Sequence, residues 1–114
     1  DRGFVRAWVE LHSLADVACA GRKRVPTPRL RVYGSQSLLE EMNGVISAGA
    51  GLSPRKLQKI VTETGETRCL YYTGRSFCAV VDWLYAGAVL CDPEERERLR
   101  TISGICGMFG LKLP

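Results

Sequence analysis

The sequence predicts one α+β domain in which helices alternate with two antiparallel β-hairpins, in the order αββαββα, followed by a helical tail. Apolar residues recur at helical spacing in four segments, and stretches between them alternate with a period of two, as in half-buried strands. Glycine and proline mark the junctions. At 114 residues, of which 46% are hydrophobic, the chain can bury one core. No linker divides it, so residues 1–114 are predicted to form a single domain.

A helix, a hairpin and a second helix are predicted for the first half. The opening helix spans residues 4–12. Its apolar side chains at helical spacing are Phe4, Ala7, Trp8 and Leu11. Residues 14–34 then form a hairpin, because polar and apolar side chains alternate along its second arm and two prolines before it favour extended backbone. Ser35 is the predicted N-cap of the second helix, which Gly49 and Gly51 are expected to end.

The second half repeats this layout. Residues 56–72 are rich in β-forming residues and predict a second hairpin, with its turn at residues 64–66. A strong apolar stripe over residues 77–85 predicts the third helix. Asp92 and Pro93 have the form of a helix start, with Asp92 as the cap and Pro93 at the first position, and begin the helical tail.

Composition and cysteine spacing exclude several classes of protein. The formal net charge is +4, from 16 Lys+Arg against 12 Asp+Glu, which is compatible with a nucleic-acid partner without indicating one. The five cysteines contain no CxxC pair and His12 is the only histidine, so we expect neither a metal site of the zinc type nor a thiol nucleophile. Free thiols indicate an intracellular protein, with nucleus, nucleoid and organelle equally open. No apolar run approaches about 18 residues, so no membrane span is predicted.

Three segments carry a family resemblance. Residues 4–13 read FVRAWVELHS, residues 30–41 read LRVYGSQSLLEE, and residues 70–85 read LYYTGRSFCAVVDWLY. The first resembles the motif helix of the LAGLIDADG homing endonucleases, and the second resembles the strand and helix that follow in that family. The third is similar to the strand, glycine and DWLY helix of intein- and archaeal-type members. The resemblance spans about residues 3 to 100 and matches the element order predicted above.

The resemblance implies a particular architecture and chemistry. The antiparallel sheet would be saddle-shaped and would lie in the major groove of DNA. The chain would pair through its motif helix, either as a homodimer or with a second LAGLIDADG-like domain. The implied pairing residues are Val5, Ala7, Trp8 and Leu11. Each motif helix would end in a carboxylate that helps to hold Mg²⁺ for phosphodiester hydrolysis.

The acidic positions of the motif depart from the family pattern. With Phe4 and Arg6 aligned, Glu10 falls on the first acidic position and His12 on the second, metal-binding one. Imidazole is a poor ligand for Mg²⁺, which prefers oxygen. We therefore expect no cleavage and no cofactor, with Mg²⁺ as the cofactor only if cleavage is retained. A shifted register would place Asp16 on an acidic position, but it would lose the other matches.

Basic residues are concentrated on the two predicted hairpins. Alternation along a strand projects every second side chain toward one face, where basic groups can contact phosphates or base edges. Solvated surface charge is the alternative explanation for the same residues. The predicted nucleic-acid-binding residues are Arg22, Lys23, Arg24, Arg29, Arg31, Lys56 and Lys59.

Three functions are consistent with these patterns. The first is a nucleic-acid-binding domain, for DNA rather than RNA, that derives from a LAGLIDADG homing endonuclease and does not cleave. The second is an active metal-dependent DNA endonuclease, a homodimer or half of a larger enzyme, in which Glu10 or an acid of a partner completes the metal site. The third is a protein-interaction subunit of a nucleic-acid-processing assembly. We take the first as the prediction.

Overall fold

A computed structural model describes residues 1–20, 25–88 and 90–108 of the chain. Four helices and four strands follow one another in these residues in the order αββαββαα, which confirms the predicted fold class. Their bounds are α1 Arg2–His12, β1 Ser13–Ala20, β2 Val25–Gly34, α2 Gln36–Ala50, β3 Gln58–Thr62, β4 Gly65–Thr73, α3 Arg75–Tyr85 and α4 Pro93–Met108. Within the described ranges, every helix is too short or too polar to cross a membrane.

The strands form one antiparallel sheet in the order β1-β2-β4-β3. Both predicted hairpins are present, since β1 pairs with β2 and β3 pairs with β4. β2 and β4 pair with each other and are therefore the two central strands. In the first hairpin the register runs from Ser13 opposite Val32 to Ala20 opposite Val25.

Alternating side chains give the sheet a covered face and an open face. Leu30 and Val32 of β2, and Leu70 and Tyr72 of β4, are fully buried in a core to which all four helices contribute. This is the alternation that the sequence predicts for β2. The other face is called the open face below. By register it carries Leu14, Asp16, Ala18, Thr27, Arg29, Arg31, Tyr33, Gln58, Ile60, Thr62, Thr67, Cys69, Tyr71 and Thr73.

Two of the predicted helix starts are capped by the predicted residues. The Oγ of Ser35 accepts a hydrogen bond from the amide of Leu38 at 3.3 Å. The Oδ1 of Asp92 accepts one from the amide of Glu94 at 3.0 Å. Each side chain satisfies an amide that has no partner within its own helix. Gly51 ends α2 in the left-handed conformation, with φ at 72°.

Gly49 has a different role from the predicted one. It lies inside α2 rather than at its end, so the prediction that it terminates the helix is wrong. A Cβ at this position would lie 2.2 Å from the Cε2 atom of Trp83, which belongs to α3. Glycine therefore lets the indole of α3 lie directly on the backbone of α2.

The buried side of α1 also differs from the predicted stripe. Val5 and Val9 are 1% and 0% exposed and pack in the core, and Arg6 is buried beside them. Phe4 and Leu11 are 52% and 78% exposed. The stripe predicted from apolar spacing therefore points mostly to solvent. Val5, which the resemblance implied for the pairing face, lies in the core instead.

Candidate nucleic-acid interface

Two of the predicted nucleic-acid-binding arginines share the centre of the open face. Arg29 and Arg31 lie two residues apart on β2, with their side chains half-buried. β2 is flanked by β1 on one side and β4 on the other. Both guanidinium groups consequently emerge from the middle of the sheet rather than from an edge.

Arg29 is held by an aspartate across the first hairpin. Asp16 lies opposite it in the register, and the Nε and Nη2 atoms of Arg29 donate hydrogen bonds to the two carboxylate oxygens at 2.8 and 2.7 Å. This hydrogen-bonded pair raises the pKa of Arg29 above its usual range and lowers the pKa of Asp16 below the ordinary value of 3.8. Both groups are therefore charged at neutral pH.

Arg31 has an aromatic neighbour instead of an acidic one. Its guanidinium carbon lies 5.6 Å from the ring centre of Tyr71, within the range of a cation–π contact. Among the described residues, no carboxylate lies within salt-bridge distance of Arg31. Its positive charge is thus available to an incoming anion.

The open face also contains one buried thiol, that of Cys69. Burial raises the pKa of Cys69, while the charge of Arg31 acts in the opposite direction. A thiol with a raised pKa is a poor nucleophile at neutral pH. The open face therefore offers cations, a carboxylate, two tyrosine rings, and the hydroxyl and amide groups of its threonines and Gln58, rather than a reactive thiol.

The remaining predicted binding residues are not gathered at this centre. Lys59 of β3 lies on the opposite side of the strand from the open face, and its ammonium group is 2.8 Å from a carboxylate oxygen of Glu66. Lys56 is exposed in the segment before β3. Arg22, Lys23 and Arg24 lie outside the described residues.

Glu10, which the resemblance aligns with the first acidic position of the motif, contributes to the packing of α1. The Oε2 atom of Glu10 accepts hydrogen bonds from the hydroxyl of Tyr85 at 3.0 Å and from the amide of Asp92 at 2.9 Å. Burial, followed by the hydrogen bond to Glu10, raises the pKa of Tyr85 above its usual range, so the phenol keeps its proton. Glu10 thereby links α1 to the end of α3 and the start of α4.

His12 is the last residue of α1 and is exposed. Its ring centre lies 4.0 Å from that of Trp8, and the indole nitrogen of Trp8 donates to the carbonyl of Tyr33 at 2.8 Å. Asp16, which a shifted motif register would place at the end of the helix, lies within β1. His12 is therefore the residue at the end of α1, where the resemblance expects the metal-binding acid.

Comparison with known proteins identifies the fold. No protein-family profile and no curated sequence matches the chain. Two solved structures of the homing endonuclease I-CvuI are similar to it, with TM-scores of 0.65 and 0.64, 13% sequence identity, and coverage of 96% of this chain and 68% of that chain. One holds the enzyme with its target in the presence of Ca, and the other holds it with the I-CreI target in the presence of Mg, with DNA not cleaved. The chain has the LAGLIDADG homing endonuclease fold.

The end of α1, where the resemblance expects the metal-binding acids, carries Glu10 and His12. Mg²⁺ takes oxygen ligands in octahedral geometry. Glu10 supplies a carboxylate whose Oε2 atom already accepts two hydrogen bonds. His12 supplies an imidazole. Among the residues that the structure describes, no group of three or more His, Cys, Asp or Glu side chains is placed to hold a metal ion.

The sequence did not predict the contacts that Asp16 and Arg6 make in the structure. The sequence indicates Asp16 only as an alternative motif acid, although its charge is opposite to that of Arg29 on the facing arm of the predicted hairpin. The opposite charges predict a pair only if the register of the hairpin is known, and the register depends on the exact length of the turn. In the sequence Arg6 serves only to align the motif. In the structure its Nε donates a hydrogen bond to the carbonyl of Leu84 at 2.7 Å and its Nη1 donates one to that of Leu90 at 3.1 Å.

Proposed function

We propose that this chain is a DNA-binding domain that lays its open face on duplex DNA, pairs with a second such domain through α1, and does not cleave. The observation that carries the proposal is the position of Arg29 and Arg31 at the centre of the one sheet face that the helices leave uncovered. Structures of the same fold hold DNA, which makes the open face the first candidate for such contacts.

The shape and charge of the open face favour duplex DNA over RNA. The major groove of B-DNA is about 12 Å wide and admits a β-ribbon, whereas that of A-form RNA is too deep and narrow for side chains to read. Arginine is the residue most often found in specific base contacts, and it binds phosphates as well. Arg31, without a carboxylate partner among the described residues, supplies the charge that would release counterions.

Pairing is supported by the apolar side chains that α1 exposes. Phe4, Ala7 and Leu11 are exposed on this helix, and Leu14 follows at the start of β1 with 58% exposure. Phe4, Ala7 and Leu11 recur at helical spacing and so share one side of α1, and exposed apolar side chains grouped in this way favour an interaction site. The small side chain of Ala7 allows two such helices to approach closely. A second copy of the chain, or a second domain of the same fold, is the partner we propose.

The donor set at the end of α1 supports the proposed loss of cleavage. Hydrolysis of a phosphodiester by this fold would need carboxylates free to hold a metal at the end of α1. Glu10 is engaged with Tyr85 and the backbone of Asp92, and His12 provides nitrogen rather than oxygen. Binding without cleavage is the function that these two residues support.

A salt titration tests DNA binding. We expect the logarithm of the affinity for a duplex, measured by fluorescence anisotropy, to fall linearly with the logarithm of the salt concentration. Replacing Arg31 with alanine should weaken binding and reduce the slope by about 0.9, the value for one lost phosphate contact. Lys59→Ala, on the other side of the sheet, is the matched control and should change the slope much less.

Two results would contradict the proposal. One is an affinity that is insensitive to salt, which would favour an interaction with another protein. The other is an equal effect of Arg31→Ala and Lys59→Ala on the salt dependence, which would mean that the open face has no special role.

The preference for DNA is tested by competition. A duplex RNA of the same sequence should compete poorly for the site.

A further inference from the structure

The ion pair between Asp16 and Arg29 is unusual in its placement, because it lies on the face where positive charge is needed for DNA. The side chains of Arg29 and Asp16 are 27% and 48% exposed. Exposed ion pairs contribute little to folding stability. The carboxylate also repels phosphates, so it weakens general attraction to nucleic acid. The two hydrogen bonds of the pair do, however, fix the orientation of the Arg29 side chain.

The carboxylate of Asp16 contacts only one edge of the Arg29 guanidinium. A guanidinium group carries five N–H donors in a fixed plane. Asp16 takes the edge formed by Nε and Nη2, at 2.8 and 2.7 Å. The edge formed by Nη1 and Nη2 is a different side of the same plane, and no carboxylate of the described residues occupies it. Arg29 also interacts with the uncharged phenol of Tyr71, on the neighbouring strand β4. Two parallel N–H groups on that edge match the O6 and N7 acceptors of guanine in the major groove.

We propose that Asp16 is a positioning residue that holds Arg29 side-on, so that the edge of its guanidinium formed by Nη1 and Nη2 reads a guanine in the major groove. This inference rests on the DNA binding proposed above. Asp16 fixes the arginine before DNA arrives, which lowers the entropic cost of making a bidentate contact. It also discourages Arg29 from turning to a phosphate. The carboxylate of Asp16 thus lowers the affinity for DNA of any sequence and increases the discrimination between bases.

Arg31 provides an internal comparison. It lies on the same strand and the same face, two residues away, and contacts Tyr71 instead of a carboxylate. Arg31 is therefore less restricted and supplies affinity, whereas Arg29 supplies sequence preference. The two arginines are expected to respond differently to substitution.

The test begins with selection of a preferred duplex from a random library by the wild-type protein. Affinity is then measured for that duplex and for duplexes in which each base pair is changed, at several salt concentrations. We expect one guanine to be preferred roughly 5- to 150-fold over other bases, as for a good bidentate arginine contact. Asp16→Ala should reduce that preference toward one, raise affinity for random duplexes, and steepen the salt slope by about 0.9 because Arg29 is freed to contact a phosphate.

Two further variants complete the test. Arg29→Lys keeps the charge but loses the planar fork, so it should lose the guanine preference while keeping most of the general affinity. Arg31→Ala should lower affinity for all duplexes and leave the guanine preference in place. Circular dichroism spectra of all variants should match that of the wild type.

The outcomes separate the two proposals. If the wild type binds DNA with a normal salt slope but without base preference, the positioning role is overturned while DNA binding stands. If Asp16→Ala keeps the full preference, Asp16 is not a positioning residue. If the wild type shows no salt-dependent binding, the proposed function itself fails.

Discussion

Substitution of Gly49 by alanine tests the close contact between α2 and α3. The added Cβ would lie 2.2 Å from the Cε2 and Nε1 atoms of the Trp83 ring. Carbon atoms in good contact are about 3.5–4.0 Å apart, so the indole must move by more than 1 Å or the helices must separate. Gly44 lies in the same helix, and a Cβ there would meet nothing within 4 Å. It is therefore the matched control.

The magnitude follows from the comparison of the two sites. Alanine in place of glycine inside a helix raises the free energy of unfolding by about 0.5–1 kcal/mol, and this gain applies to both positions. At Gly49 the overpacking against Trp83 costs about 1–3 kcal/mol in addition. We expect Gly44→Ala to stabilise the protein, and the free energies of unfolding of the two variants to differ by about 1–3 kcal/mol.

Urea unfolding monitored by far-ultraviolet circular dichroism measures this difference without relying on tryptophan fluorescence. Equal stabilisation by both substitutions, within about 0.5 kcal/mol, would refute the reasoning. It would mean that Trp83 has no fixed position on α2.

Three other predictions concern α1. Arg6→Met should lower the free energy of unfolding by about 2–4 kcal/mol, because the carbonyls of Leu84 and Leu90 lose their donor; a loss under about 1 kcal/mol in urea unfolding would contradict this. Leu11→Glu should shift the protein toward the monomer in sedimentation equilibrium without changing its stability, since Leu11 is 78% exposed; a wild type that stays monomeric at high concentration would argue against pairing through α1. The wild type should leave supercoiled plasmid intact in Mg²⁺, and His12→Asp should be the substitution that restores nicking; metal-dependent nicking by the wild type would disprove the proposed loss of cleavage.

The regular elements could be predicted from the sequence because their signals are local. In β2, Leu30 and Val32 alternate with polar neighbours, and both are fully buried. Ser35 and Asp92 cap helices, since capping depends on residues two or three positions away. Binary pattern and caps are properties of short windows, and in β2 and at these two helix starts the tertiary packing agrees with them.

The contacts of the candidate site could not be predicted because they depend on register and on which helix face is buried. The apolar spacing in α1 predicted a stripe that includes Phe4 and Leu11, whereas the side chains buried in the core are those of Val5 and Val9. A helix with apolar residues on two sides leaves its orientation open until its neighbours are known. The pair of Asp16 with Arg29 likewise required the turn length of the first hairpin.

The hydrogen bonds of α1 join residues that are very distant along the chain. Arg6 and Glu10 bind partners 75 to 84 positions later. Such long-range contacts close a large loop of the chain. The loss of chain entropy on closing that loop opposes the contacts, so they stabilise the fold only once most of the chain is in place. The two hairpins involve only near neighbours and can form earlier. We therefore expect α1 to dock late, so that substitutions at Arg6 and Glu10 accelerate unfolding more than they slow folding.

During synthesis this helix emerges from the ribosome long before its partners exist. The helix exposes Phe4 and Leu11 in the folded chain, and until it docks Val5 and Val9 are uncovered as well. An undocked amphipathic segment with apolar residues on both sides is a target for chaperones and for self-association. The same helix that is proposed to join two folded domains is thus also the segment by which unfinished chains would stick together.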